Sequence, residues 1–282
     1  MTTLFEAFVA LLAAEGLADV NMSKNYTPVY LPLAQWLFQC HEQTGQRLIG
    51  INGAQGSGKS TLAKILALLL QQGFDKSVVV LSLDDFYLTR VQRDELAKRV
   101  HPLLQTRGVP GTHDVTLAIA VLTALKNAEP VKLPRFDKSL DDRVASSCWK
   151  TLDQPVDIIL FEGWCVGALP QTNKQLQQPV NELEAQEDAQ GVWRQYVNTQ
   201  LATDYQTLFA LFDTLLMLKV PSFDCVYVWR ALQEGRLQQG MSQQQLRRFI
   251  LHYERLTKHM LNEMPQRADK VLQVGVDHQI IV

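Results

Sequence analysis

The stretch GAQGSGKS, residues 53–60, decides the fold of this chain. It matches the phosphate-loop pattern G-x-x-x-x-G-K-[S/T] at every defined position. A strand-like segment, RLIGIN at 47–52, precedes the loop, and a helical segment, TLAKILALLLQQ at 61–72, follows it. Because strand, glycine loop and helix occur in the required order, the stretch predicts a site for a nucleoside triphosphate.

The residues of this loop have separate predicted tasks. Its glycines allow the backbone to turn successive N–H groups toward phosphate oxygens. We expect Lys59 to reach the β- and γ-phosphates and Ser60 to offer its hydroxyl to Mg²⁺. ATP and Mg²⁺ are the expected ligands. The residues predicted to contact the nucleotide are Gly53, Ala54, Gln55, Gly56, Ser57, Gly58, Lys59, Ser60 and Thr61.

Short apolar runs alternate with helical patterns along the rest of the chain. The candidate strands are Arg47–Asn52, Ser77–Leu83, Val156–Phe161, Thr214–Val220 and Lys270–Val276. Four of these five runs lack polar alternation, which is typical of parallel strands covered on both faces. We therefore predict a three-layer α/β fold of the P-loop NTPase type. It has a five-stranded, mainly parallel sheet with helices on both faces.

Helical periodicity predicts the elements that cover this sheet. The candidate helices are Thr61–Gln72, Asp114–Lys126, a long stretch at 180–212, Phe223–Gln239 and Ser242–Asn262. Asp114 and Ser242 stand where helix N-caps belong. The polar, Gln-rich segment 171–190 is interpreted as a solvated excursion. We predict one domain over residues 1–282, with an N-terminal helical extension over about 1–45.

Composition and charge exclude several classes of protein. The 282 residues are 46% hydrophobic and carry a net charge of −2, so there is no basic field for nucleic acid or an anionic membrane. The N-terminal apolar pattern contains Glu6, Glu15 and Asp19, which favours an amphipathic helix over a signal peptide. The four widely spaced cysteines predict reduced, mostly buried thiols. We expect a soluble cytoplasmic protein, monomeric or homodimeric, with a small-molecule partner.

Acidic residues follow two of the predicted strands. Asp84 and Asp85 come after Ser77–Leu83, and Glu162 comes after Val156–Phe161. In an open parallel sheet, ligands bind beyond the carboxyl ends of the strands. We expect Glu162 to reach the metal or its water shell, and one of the two aspartates to accept the proton of an attacking hydroxyl. Three roles stay open for the other aspartate: assisting the metal, capping a turn, or facing solvent.

Six ordered blocks resemble one family of enzymes. They are GAQGSGKST (53–61), SLDDFYLT (82–89), RGVPGTHD (107–114), LPRFDKSLDDR (133–143), LFEGWCVG (160–167) and VWRALQE (228–234). Their order is similar to that of the P-loop small-molecule kinases that include uridine kinase, phosphoribulokinase and bacterial pantothenate kinase. The similarity is greatest to the D-glycerate 3-kinases of plant and fungal type, and it covers roughly residues 25–265.

The resemblance implies a kinase-type fold with a helical lid region at about 222–262. It places the general base on Asp84 and makes Asp85 the variable position of its block. Arg230, and with less support Arg236, corresponds to a lid arginine that approaches the phosphates. The implied catalytic residues are therefore Asp84, Lys59 and Arg230, with Ser60 and Glu162 toward the metal.

The same resemblance implies a set of acceptor contacts. These are Arg107, Thr112, His113, Asp114, Asp137, Lys138 and Arg143, and Asp85 and Tyr87 beside Asp84 are added to the predicted acceptor contacts. The chain departs from the family pattern at Phe136, where Tyr is usual, and at Leu140-Asp141-Asp142, where a Gly-rich turn is usual. The resemblance makes D-glycerate the expected acceptor, and arginine and lysine suit the carboxylate that this acceptor carries.

Other functions stay open on the sequence. A nucleoside acceptor would use aromatic stacking, for which Tyr87 and Phe136 are available, and a pantothenate-like acceptor is a further alternative. A P-loop ATPase or GTPase would need no organic acceptor. Guanine specificity usually comes with an Asn/Thr-Lys-x-Asp segment, which LKVPSFD at 218–224 does not provide.

Overall fold

The computed structural model describes residues 3–17, 21–234 and 242–281. The strands are β1 (Leu48–Gly53), β2 (Val78–Ser82), β3 (Val131–Leu133), β4 (Phe136–Asp137), β5 (Asp142–Arg143), β6 (Lys150–Leu152), β7 (Ile158–Gly163), β8 (Thr214–Lys219), β9 (Lys270–Val274) and β10 (Ile280–Ile281). The α-helices are α1 (Leu4–Ala14), α2 (Leu31–Thr44), α3 (Lys59–Phe74), α4 (Arg90–Arg99), α5 (Val115–Lys126), α6 (Asn173–Leu176), α7 (Glu182–Glu187), α8 (Val192–Ala202), α9 (Asp204–Phe209), α10 (Phe223–Glu234) and α11 (Gln243–Glu263).

The main sheet has the strand order β10-β9-β8-β1-β7-β2. Strands β2, β7, β1, β8 and β9 are parallel, so the five predicted strands and their direction are confirmed. The predicted strand count is wrong by one, because β10 pairs with β9 in antiparallel orientation. A strand of two residues is too short to leave a periodic pattern. Strands β1 and β7 are buried along their whole length at the centre of the sheet.

The helices mostly follow the predicted periodicity, and the N-cap predictions are confirmed. Asp114 accepts a hydrogen bond from Leu117 N, and Ser242 accepts one from Gln245 N. The long helix predicted at 180–212 is wrong, because this stretch forms the three helices α7, α8 and α9. Gly191, with φ +77°, separates the first two of them. The predicted helix end at Gln239 lies outside the described residues.

Three helices, α2, α4 and α6, were not among the individual predictions. Helix α4 has the sequence RVQRDELAKR, in which only Arg93 and Leu96 are buried. A helix with so few apolar residues produces no apolar stripe in the sequence. Its capping box at Thr89 and Gln92 is the local signal that marks its start.

Most residues of the segment 171–190 are exposed, as its composition predicts, but two of its carboxylates are buried. Glu184 is fully buried and forms an ion pair of 2.6 Å with Arg255 on α11. Asp188 is also buried and pairs with Arg194 at 3.0 Å. Because these charges are paired, polar side chains pack inside the protein rather than facing water.

The cysteine prediction needs a similar correction. All four thiols are free, but only Cys165 is buried, while Cys148 is exposed and Cys40 and Cys225 are half-buried. Within the described ranges, no helix is both long enough and apolar enough to cross a membrane.

Candidate active site

The phosphate loop joins the end of β1 to the start of α3. Gly56 and Gly58 have φ of +79° and +88°, in the left-handed region that favours glycine. A Cβ atom on Gly53 would overlap the hydroxyl of Ser57, whereas one on Gly58 would meet no atom within 4 Å. The loop therefore has the tight inner turn and open outer face of a phosphate cradle.

Ser60, Glu162 and Lys59 meet beside this loop. Ser60 Oγ donates a hydrogen bond of 2.9 Å to Glu162 Oε1, and Lys59 Nζ lies 4.0 Å from Glu162 Oε2. Glu162 is only 5% exposed and stands opposite Ile51 in the β1–β7 register. Its Oε2 atom is buried and has no hydrogen-bond partner among the residues that the structure describes.

This donor set fits a Mg²⁺ ion that is completed by phosphate and water oxygens. The hydroxyl of Ser60 and the buried carboxylate of Glu162 are oxygen ligands of the kind that Mg²⁺ prefers. No cluster of three or more His, Cys, Asp or Glu side chains in the described part of the chain could hold a metal by itself. The two residues thus fit a metal that arrives with a nucleotide.

Asp84 lies in a short 3₁₀ helix, Leu83–Phe86, directly after β2. Its Oδ1 atom accepts a hydrogen bond of 2.9 Å from the Tyr87 hydroxyl, and its Oδ2 atom accepts one of 2.7 Å from Lys138 Nζ. Burial alone would raise the pKa of Asp84, but the positive charges of Lys138 and Lys59 outweigh it and lower the pKa to about 2. Asp84 is therefore an ionised carboxylate within the electrostatic reach of the loop lysine.

Asp85 has a different surrounding from its neighbour. Its Oδ1 atom accepts a hydrogen bond of 3.2 Å from the backbone N–H of Phe136. Burial raises the pKa of Asp85, partly opposed by this hydrogen bond. Asp85 is a predicted acceptor contact, but in the structure its side chain holds the β4–β5 hairpin against the end of β2.

Three more predicted acceptor contacts, Asp137, Lys138 and Arg143, lie on the β4–β5 hairpin, and each has a different partner. Lys138 reaches Asp84 and leaves 64% of its side chain exposed. Asp137 accepts hydrogen bonds from the turn at Ser139 and Leu140, which lower its pKa. Arg143 donates to the carboxylate of Asp114 at 2.9 Å. Of the three, only Lys138 touches the candidate base.

Arg107 lies over the ring of Phe136, with its guanidinium carbon 5.4 Å from the ring centroid. It forms an ion pair with Asp141, which also pairs with Arg93 at 2.7 Å. Asp141 belongs to the turn where the family usually has glycine, and its φ is +52°. The sequence reasoning missed Arg93, which is 1% exposed on α4. Its spacing of three residues from the buried Leu96 is the one signal that could have indicated an inward side chain.

Three further predicted acceptor contacts have buried side chains: Thr112, His113 and Tyr87. The Thr112 hydroxyl donates to Val109 O at 2.7 Å within its own loop. The His113 ring stacks on Tyr87 with centroids 4.5 Å apart, and its Nδ1 lies 2.6 Å from the Tyr205 hydroxyl. Burial lowers the pKa of His113 to about 3, so the ring is neutral. Thr112 and His113 are therefore placed to shape the loop.

Two aromatic residues that the sequence reasoning missed hold the loop that carries Arg107. Tyr253 on α11 donates its hydroxyl to Arg107 O at 3.0 Å, and Trp164 Nε1 donates to Gly108 O at 2.7 Å. Gly108 has φ +134°, and a Cβ atom there would overlap the Tyr253 hydroxyl. The position of the predicted acceptor loop thus depends on the predicted lid region.

Helix α10 packs Trp229 against the phosphate loop, and it also carries the predicted lid arginine Arg230. Trp229 is 3% exposed and donates its Nε1–H to Val276 O at 3.0 Å. A Cβ atom on Gly56 would come within 2.8 Å of Trp229 Cβ. The Arg230 guanidinium carbon lies 5.8 Å from the ring of Phe249 on α11. The second lid candidate, Arg236, lies outside the described residues.

Comparisons with known proteins give the family and the fold of the chain. The model of the phosphoribulokinase/uridine kinase family matches residues 48–177. The uncharacterized kinase mug58 of Schizosaccharomyces pombe is 40% identical over 220 residues, which cover 73% of this chain and 78% of that protein. The chloroplastic D-glycerate 3-kinase of Arabidopsis thaliana is 32% identical over 252 residues, 82% of this chain and 53% of the plant protein. The solved structure of D-glycerate 3-kinase from Cryptococcus neoformans has a TM-score of 0.75 at 25% identity, covering 90% of this chain and 97% of that one.

Proposed function

Because the chain belongs to the phosphoribulokinase/uridine kinase family of kinases, we propose that it transfers the γ-phosphate of ATP to a hydroxyl of D-glycerate. The observation that carries this proposal is the ion pair between Asp84 and Lys138 at 2.7 Å. Asp84 can accept the proton of a hydroxyl, and Lys138 beside it can bind a carboxylate. A hydroxy acid carries both of these groups, so it matches the pair.

In the proposed reaction, Asp84 orients the acceptor hydroxyl and takes its proton as the oxygen attacks the γ-phosphorus. One O–P bond forms, the bond between the γ-phosphorus and the β–γ bridging oxygen breaks, and ADP leaves. Lys59 and Arg230 offset the negative charge that develops on the transferring group. Ser60 and Glu162 would hold Mg²⁺, which supplies further neutralisation of phosphate charge when it is bound.

The proposed acceptor also bears on the basicity of Asp84. A carboxylate whose pKa is about 2 holds a proton weakly, and the charges of Lys138 and Lys59 are what keep that pKa low. If the carboxylate of glycerate takes over Lys138, the pKa of Asp84 rises and the residue becomes a better proton acceptor. Binding of the correct acceptor would thus prepare the base.

A hydroxy acid suits this site better than a nucleoside. Tyr87 and Phe136, the rings on which a nucleobase would stack, are 4% and 6% exposed. Tyr87 is already stacked on His113, and two arginines lie near the ring of Phe136. Neither ring therefore offers a free face to a nucleobase, whereas the Lys138 side chain beside Asp84 is exposed.

The experiment is an ADP-release assay with a panel of acceptors, including D-glycerate, L-glycerate, uridine and pantothenate. Phosphorylated product is followed by ³¹P NMR. We expect ADP release that depends on D-glycerate and yields a phosphomonoester. ADP release at the same rate without any acceptor would indicate an ATPase, and a preference for uridine or pantothenate would replace D-glycerate.

A further inference from the structure

A buried arginine on α4, Arg93, contacts the turn of the β4–β5 hairpin. Its side chain is only 1% exposed, a depth at which arginine is rarely found unless its charge is paired. Arg93 Nη1 donates to Leu88 O at 3.0 Å. Its Nη2 donates both to Asp141 O at 2.9 Å and to Asp141 Oδ2 at 2.7 Å. One guanidinium therefore joins α4 to the backbone and to the side chain of the hairpin turn.

Asp141 also joins this turn to the loop that carries Arg107. Its other carboxylate oxygen, Oδ1, pairs with the Arg107 guanidinium, so one carboxylate bridges two arginines. The φ of Asp141 is +52°, a left-handed backbone that costs a residue other than glycine some free energy. Such a backbone persists where the surrounding contacts hold it in place. The position of the turn is therefore set by its contacts with other segments.

The hairpin is held at two points, and Lys138 lies between them. At its start, the Phe136 N–H group donates to Asp85 Oδ1 at 3.2 Å. At its turn, Asp141 is bound to α4. From the segment between these points, Lys138 Nζ reaches Asp84 Oδ2 at 2.7 Å, although 64% of the Lys138 side chain is exposed. A long exposed side chain has many rotamers, so the place of its backbone decides whether the ammonium group stays at the carboxylate.

We infer that Arg93 and Asp141 are positioning residues that hold Lys138 against Asp84. In this assignment neither residue touches the substrate, and both act through the hairpin. The inference rests on the proposed function, in which Lys138 binds the carboxylate of the acceptor beside the base. It gives a role in acceptor binding to α4, a helix on which only Arg93 and Leu96 are buried.

A different route from Asp141 to the acceptor runs through Arg107, and the two routes can be distinguished. If Asp141 acts by holding the hairpin, its loss has no further effect on acceptor binding once the Lys138 ammonium group has been removed. If Asp141 acts through the Arg107 guanidinium, its loss has the same effect with and without Lys138. A double-mutant cycle measures this difference.

The test is therefore a cycle between positions 141 and 138. Initial rates over both substrate concentrations give the KM for D-glycerate and the KM for ATP in the wild type, Asp141→Asn, Lys138→Met and the double variant. We expect Asp141→Asn to raise the KM for D-glycerate about 3- to 10-fold, the scale of one lost hydrogen bond, and to leave the KM for ATP unchanged. In the Lys138→Met background, the same substitution should change the KM for D-glycerate less than about twofold.

Two further variants protect this test against a general loss of structure. Asp141→Gly also removes the carboxylate, and glycine adopts a φ of +52° without strain, so this variant should raise the KM for D-glycerate at least as much as Asp141→Asn. Glu95→Gln is the matched control, because it removes one carboxylate from an exposed position on α4. The control should keep both constants. Thermal unfolding of each variant confirms that it is folded during the assay.

Hydrogen exchange of residues 136–143 separates this inference from the proposed function, because it needs no substrate. Mass spectrometry should show faster exchange of this segment in Asp141→Asn than in Glu95→Gln. If that change is seen but the wild type phosphorylates no acceptor, the proposed function fails and the positioning role stands. Unchanged exchange would overturn the inference. A rise in the KM for D-glycerate that persists in the Lys138→Met background would overturn it as well.

Discussion

Ser60 Oγ donates a hydrogen bond of 2.9 Å to Glu162 Oε1, which joins the phosphate loop to the carboxyl end of β7. The other carboxylate oxygen of Glu162 stays buried, 4.0 Å from Lys59 Nζ. The hydroxyl and the carboxylate proposed to hold Mg²⁺ therefore lie within hydrogen-bond distance of each other.

Replacing Glu162 with Gln tests this pairing. The amide oxygen can still accept from Ser60, but the negative charge is lost, so the variant should need more Mg²⁺ and turn over about 10²-fold more slowly. A magnesium titration of the initial rate measures both effects. Unchanged dependence on Mg²⁺ would remove Glu162 from the metal site.

Asp84→Asn should retain ATP binding and lower turnover by about 10²-fold or more, because the amide cannot accept the proton of the acceptor hydroxyl. The matched control is Asp85→Asn, since the Asp85 side chain accepts from Phe136 N–H instead. The control should keep turnover within about tenfold of the wild type. Steady-state rates and ATP binding by calorimetry distinguish the two, and equal losses would contradict the assignment of the base.

Lys138→Met should shift the acid limb of the pH–rate profile to higher pH. The Lys138 charge helps to hold the pKa of Asp84 at about 2, so its removal raises that pKa. Since activity requires the ionised carboxylate, activity is then lost at a higher pH as the solution is acidified. Lys138→Arg keeps the charge and should keep the wild-type limb. Coincident acid limbs for Lys138→Met and the wild type, measured from kcat/KM for the free enzyme, would refute the coupling.

Tyr253→Phe should raise the KM for the acceptor about 3- to 10-fold and leave the KM for ATP unchanged. The substitution removes one hydrogen bond, from the Tyr253 hydroxyl to Arg107 O, and so loosens the loop that carries the Arg107 guanidinium. Initial rates over both substrate concentrations give the two constants. A change confined to the KM for ATP would show that Tyr253 does not position the acceptor loop.

Glu184→Gln should reduce the free energy of unfolding by about 3–5 kcal/mol, because it leaves the Arg255 guanidinium buried without its charged partner. The control is Glu187→Gln, which breaks the exposed pair with Arg248 and should cost less than about 1 kcal/mol. Urea unfolding measures both differences. Equal values would show that burial does not set the strength of these pairs.

The sequence predicted those features that follow from periodicity and from strand ends. Continuous apolar runs identified the parallel strands, and the strand-end rule brought Glu162 and Asp84 to the edge that holds the phosphate loop. Neither feature requires knowledge of distant contacts.

The features that could not be predicted depend on contacts between distant segments. Arg93 and Asp141 are 48 positions apart, and nothing local marks either one as half of an ion pair. Glu184 lies in a polar segment, where composition cannot distinguish a solvated carboxylate from one buried against Arg255. The role of Tyr253 could not be predicted either, because its partner is a backbone oxygen 146 positions away.

Helices α10 and α11 pack against each other, and each also contacts a segment of the candidate active site. Trp229 on α10 rests on Gly56, while Tyr253 on α11 holds Arg107 O. A shift of this helical pair on nucleotide binding would therefore be transmitted to the acceptor side. Thermodynamic reciprocity would then require the nucleotide to change the affinity for the acceptor by the same factor by which the acceptor changes the affinity for the nucleotide.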